Sequence, residues 1–154
     1  MRLYSLLIAL HLLAAIVWIG GMFFAHQVLR PVAASQLEPP LRLPLWVGVF
    51  RRFFPWVWLA VLLLPASGYW LSFGLYGGLG QAPLYVHLMH GIGWLMILLY
   101  GFVYFRPFQV LKARVVEKNW PEAAEALAVI RKVVGLNLVL GLLVAVIAAG
   151  GRLL

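Results

Sequence analysis

The side chains best suited to ligating a transition metal in this sequence are its four histidines, His11, His26, His87 and His90. Cysteine is absent, which removes thiolate sites, disulfides and thiol redox chemistry. Three of the histidines fall at matching positions within long apolar runs. On a helix rising about 1.5 Å per residue, His11 lies about 13 Å beyond Arg2, and His87 and His90 lie about 6 and 10 Å beyond the opening Pro83. Ionisable groups at membrane depth are costly and are functional candidates by default. Imidazoles on facing helices of a bundle supply what a six-coordinate haem iron needs, one neutral nitrogen on each face. One turn after His11 is Ala15 and one turn after His87 is Gly91, both small, whereas Trp94 follows His90. This spacing favours His11 and His87 as the axial pair, with His90 as substitute ligand or hydrogen-bond partner. Pro65 and Gly68 would kink or thin the neighbouring helix and widen the pocket. Haem propionates would point outward, where Arg152 or Arg2 could pair with them.

A bare copper site is the rival chemistry, because Cu(I) favours imidazole and thioether donors. Met89 lies between His87 and His90, but residues two apart on a helix diverge, so it does not readily share a site with His87. His26 stands about 22 Å beyond His11 along the same helix, with Met22 one turn away, and reads as an interfacial, structural residue.

The elements that must position these groups follow from composition. The chain has 154 residues, 65% hydrophobic and 10% charged, whereas soluble domains average about half apolar and about a quarter charged. That balance excludes a water-soluble globule and predicts an all-α integral membrane protein, one membrane domain over residues 1–154. A spanning helix needs about 20 mostly apolar residues, and four segments qualify: about 3–28, 53–71, 86–105 and 133–149. They show none of the alternation of a transmembrane β-barrel. The first run is too long for the core of a signal peptide and is read as a retained helix.

The connections separate by charge. Segment 29–52 carries Arg30, Arg42, Arg51 and Arg52, and segment 106–132 carries Arg106, Lys112, Arg114, Lys118, Arg131 and Lys132. These are ten of the twelve basic residues, all on one side of a four-helix up-down bundle. The positive-inside rule makes that side cytoplasmic and puts both termini outside. Glu117, Glu122 and Glu125 mix the sign of the second basic segment, which argues for a solvated helix and against a nucleic-acid partner. Asn119-Trp120-Pro121-Glu122 reads as a helix start that continues through Arg131-Lys132 into the fourth span. The first basic connection, with Pro31, Pro39, Pro40 and Pro44, is expected to be ordered but irregular. The loop 72–85, with Gly74, Gly77, Gly78 and Gly80, is expected to be a flexible turn. Asn137 is expected to act as interhelical glue.

The run His11-Leu-Leu-Ala-Ala-Ile-Val-Trp18-Ile-Gly20-Gly21 resembles the first helix of the CopD-like (copper-resistance D) membrane family. The likeness extends through Arg51-Arg52-Phe-Phe-Pro55-Trp56 and Tyr85-Val-His87 and loosely to Gly150-Gly151-Arg152. It implies a bacterial inner-membrane protein with a role in copper handling. His11 with Trp18, and Tyr85-Val86-His87-Leu88-Met89, are also similar to HemJ-type protoporphyrinogen oxidases, four-helix proteins that bind haem b. Met89 stands where those proteins have Lys, and Arg131-Lys132-Val-Val-Gly-Leu-Asn137 stands where they have Asn-Glu-x-Pro. That similarity implies haem ligation by His11 and His87.

The expectation is therefore haem b in the outer half of the bundle, held by His11 and His87 with His90 nearby and Arg152 at the propionates. Such a protein would transfer electrons in copper or oxidative-stress handling, with a quinone or a periplasmic protein as redox partner. The alternatives are a haem-free copper-binding or copper-transporting membrane protein using the same histidines, and a HemJ-like oxidase.

Overall fold

The structure, a computed structural model, describes residues 2–151, with side chains from residue 3 onward. Four helical runs are long and apolar enough to cross a membrane: Leu3–Gln36, Pro39–Tyr76, Leu84–Val116 and Trp120–Gly150. The first comprises α1 (Arg2–Phe23), a π-helical turn (Phe24–Leu29) and α2 (Arg30–Gln36). The second is α3 (Pro39–Tyr76), the third is α4 (Leu84–Phe105) followed by α5 (Pro107–Val116), and the fourth is α6 (Trp120–Gly150). No strand occurs among the described residues.

The helices are all-apolar on average, so packing rather than amphipathicity decides which stripe turns inward. α1 packs along α3, and α4 along α6. Leu62, Leu98, Val139 and Val146 are among many large apolar side chains left exposed, an exterior that only lipid can cover. The interior is aromatic toward the basic end. Phe54 meets Phe50 in a stacked pair and Phe108, Tyr100 and Tyr104 edge-on, with ring centroids 4.8–5.8 Å apart. Edge-on contacts of this kind add about 0.5–1.5 kcal/mol each beyond area burial. Asn137, almost fully buried on α6, donates from Nδ2 to the Met96 carbonyl of α4 at 3.3 Å, the interhelical bond expected of it.

The connections are more helical than their prolines suggest. Residues 39–52 belong to α3, and only Leu37 and Glu38 separate α2 from α3. Pro39 and Pro40 occupy the first helical positions, where a missing N–H costs nothing and the fixed φ favours helix. At the other end α3 runs on to Tyr76, so the glycine turn shrinks to residues 77–83. Gly77 adopts φ 75°, and its N–H bonds the Phe73 carbonyl at 3.0 Å while Gly78 N–H bonds that of Ser72. That left-handed cap is a conformation glycine adopts without steric penalty. α6 starts at Trp120 as expected, with Asn119 Oδ1 accepting from Glu122 N–H at 3.4 Å.

Candidate metal centre

In the half of the bundle nearer the glycine turn, α1, α3 and α4 bring two imidazoles to one place. His11 comes from α1 and His90 from α4, and both converge on Gly68 of α3. A Cβ at Gly68 would stand 3.5 Å from His11 Cε1 and 3.9 Å from His90 Cε1. Glycine here leaves the space between the two rings open. Tyr69 packs on His90, its ring edge-on to the imidazole at 4.8 Å and its hydroxyl accepting from Trp94 Nε1 at 3.2 Å.

The hydrogen bonds fix which nitrogen of each ring is free. Ser67 Oγ lies 2.8 Å from His11 Nδ1 and also makes a tight contact with the Leu63 carbonyl. A carbonyl can only accept, so the single hydroxyl proton goes to Leu63 and Ser67 accepts from His11 Nδ1–H. His11 Nε2 then carries the lone pair. His90 Nδ1 lies 3.2 Å from the Val86 carbonyl, which likewise makes Nδ1 the donor and Nε2 the free base. Both rings thus hold the tautomer, fixed by an outer partner, that metal-ligating histidines adopt.

His87 is placed differently from the sequence expectation. Its side chain is exposed, and Nδ1 donates to the Pro83 carbonyl one turn back on its own helix at 3.2 Å. The structure brings His90, not His87, to His11. The bulk of Trp94 beside His90 does not obstruct the pair, because Trp94 leans outward onto Tyr69. Arg152, expected near haem propionates, lies outside the described residues, as does the side chain of Arg2. Among the described residues no three His, Cys, Asp or Glu side chains gather at one point, so a site here is a two-imidazole site.

His26 sits far down the same helix, inside the π-helical turn. Its ring packs on Gly135 of α6, where a Cβ would stand 2.9 Å from Nε2, and Arg30 Nη1 lies 3.4 Å from Nε2. The sequence pattern singled out Gly68 as a thin spot but missed Ser67 and Tyr69. Ser67 is a polar side chain within the second apolar run, but nothing in that run points to its partner on α1.

Four membrane-crossing helices around a half-buried pair of imidazoles define a multi-pass helical membrane protein with a candidate metal site. The family model for "copper resistance protein D" matches residues 47–150, more than half of the chain, and the chain belongs to that family of copper-resistance membrane proteins. No curated protein matches the sequence, and no solved structure matches it.

Proposed function

We propose that the protein handles copper as cargo, taking Cu(I) between His11 Nε2 and His90 Nε2 in the periplasmic half of a bacterial inner membrane. The observation that carries this reading is the convergence of the two rings on Gly68, each with Nδ1 engaged and Nε2 free. The donor set fits the ion: imidazole is a good copper ligand and Cu(I) tolerates few donors. Family membership supports copper in particular. The segregation of basic residues supports cytoplasmic connections, periplasmic termini and a single membrane domain.

The test is anaerobic Cu(I) titration of the detergent-purified protein against a colorimetric chelator. His11→Ala and His90→Ala should each weaken copper binding, while His87→Ala should leave it unchanged. Equal binding by all three variants would remove the assignment.

A second reading is haem b held by His11 and His90, serving electron transfer to a quinone or a periplasmic protein. What favours it is that the two imidazoles come from different helices with a glycine between them, as axial ligation requires. An optical spectrum separates the readings: sharp reduced α and β bands lost in His90→Ala support haem, and a colourless preparation with bound copper supports cargo.

A further inference from the structure

At the basic end of the bundle, the first and fourth spans bring two guanidinium groups to one imidazole. Arg30 and His26 stand four residues apart where the π-helical turn passes into α2, and Arg30 Nη1 lies 3.4 Å from His26 Nε2. A guanidinium can only donate, so Nε2 accepts and holds Arg30 toward the contact with α6. From the facing side, Gly135 of α6 lies against the same ring, and Arg131 stands one turn before Gly135 on the same helix face. Both arginines lie within electrostatic reach of the imidazole. Arg30 is half-buried and Arg131 is exposed, so the pair is open to the surroundings. No carboxylate offsets these charges: among the described residues the ion pairs are those of Arg114 with Glu117 and Glu122. Two like charges brought together from two helices at the edge of an apolar medium call for an anion between them.

We propose that Arg30 and Arg131 bind the phosphate of an anionic phospholipid at the seam between the first and fourth spans. A phosphodiester accepts paired N–H bonds from a guanidinium, and basic residues gathered between helices at a membrane interface attract anionic headgroups. The depth agrees. Arg30 follows the apolar run of the first span and Arg131 precedes that of the fourth, which puts both at headgroup level. Deeper along the same two spans, the exposed Phe23 and Leu136 offer apolar surface to acyl chains. That apolar surface below the charges favours a lipid over free phosphate. His26 is a positioning residue here: it orients Arg30 and leaves the lipid contact to the guanidinium. A lipid so held ties the first span to the fourth beside the π-helical turn.

The test titrates full-length protein in detergent with dioleoyl-phosphatidylglycerol and counts bound lipid by native mass spectrometry. One such lipid per chain should be held about tenfold more tightly than dioleoyl-phosphatidylcholine, and inorganic phosphate should not displace it. Arg30→Gln combined with Arg131→Gln should weaken that lipid about thirtyfold. Arg51→Gln combined with Arg52→Gln, an equal loss of charge from exposed positions on α3, should leave it unchanged. Equal weakening by the two pairs overturns the site in favour of diffuse attraction to the basic end. Phosphatidylcholine bound as tightly, or phosphate displacing the lipid, overturns the choice of an anionic lipid. The glutamine pair should keep the parent's helicity and melting behaviour in lipid-free detergent. Arg30→Lys combined with Arg131→Lys keeps the charge and loses the bidentate fork, and parent-like lipid affinity in that variant overturns the guanidinium contact even where the glutamine pair misfolds. Copper binding at His11 and His90 should be the same in every variant, so the two proposals stand or fall separately.

Discussion

His11 Nδ1 and Ser67 Oγ lie 2.8 Å apart across the α1–α3 contact, and the serine acts there as acceptor because its own proton is held by Leu63. The bond sets the imidazole tautomer and ring angle without Ser67 touching the ion. Partners of this kind change metal affinity about 10–100-fold when removed. Ser67→Ala should weaken Cu(I) binding by a factor in that range with the helices intact, and Ser67→Thr should retain most of the affinity; chelator competition reads both.

Gly68 controls the gap between the imidazoles. A Cβ there meets His11 and His90 at ordinary contact distance, so Gly68→Ala should bind copper nearly as well as the parent. Gly68→Leu should fill the gap and abolish copper binding at the His11–His90 pair while leaving the circular dichroism spectrum unchanged. A leucine variant with full copper would contradict the placement of the pair.

Lys118 joins α5 to α6 at φ 57°, a left-handed conformation that costs a side-chain-bearing residue about 1–2 kcal/mol. Lys118→Gly should raise stability by about 0.5–1 kcal/mol, after the extra freedom glycine gives the unfolded chain is subtracted. Reversible unfolding in mixed micelles measures it.

The next residue has the opposite expectation. Asn119 caps α6 through Glu122 N–H, and Asn119→Ala should lower stability by about 1 kcal/mol in the same assay. Arg114 also reaches Glu122, at 2.7 Å, and Glu117, at 2.6 Å. These pairs are exposed, so high salt should change little.

Gly135 lets α6 approach His26 closely, and a Cβ there would stand 2.9 Å from the ring. Gly135→Leu should displace the imidazole or force the helices apart, lowering stability by about 1–3 kcal/mol. Copper binding at His11 and His90, at the opposite end of the bundle, should be unaffected.

Much of the fold was legible because lipid imposes one rule on every span: the apolar length had to be met by helix. The start of α6 at Trp120 was readable for a local reason, the Asn119–Glu122 cap. The proline-rich 39–52 segment was not, since Pro39 and Pro40 read equally as loop or as the first turn of a helix, and only packing on the rest of the bundle decides. The exchange of His90 for His87 has a similar origin. Neighbour size one turn away favoured His87, but the inward phase of α4 is set by buried Met96, Tyr100 and Val103, and His87 shares the outward face of Gly91, Trp94 and Leu98. Ser67 escaped notice because its role lies in a partner on another helix, which no spacing within α3 reveals.

The π-helical turn at Phe24–Leu29 has a consequence for sequence change. Such a turn amounts to one supernumerary residue accommodated inside an α-helical frame. Removing one residue within it should therefore restore plain α geometry and leave the flanking segments in phase. Elsewhere along α1 the same deletion would rotate the whole remaining helix by about 100° and turn its inward stripe toward the lipid. That turn is where the first span should tolerate indels, and a deletion scan would find His26 re-aimed while Trp18 and Ala33 keep their buried places.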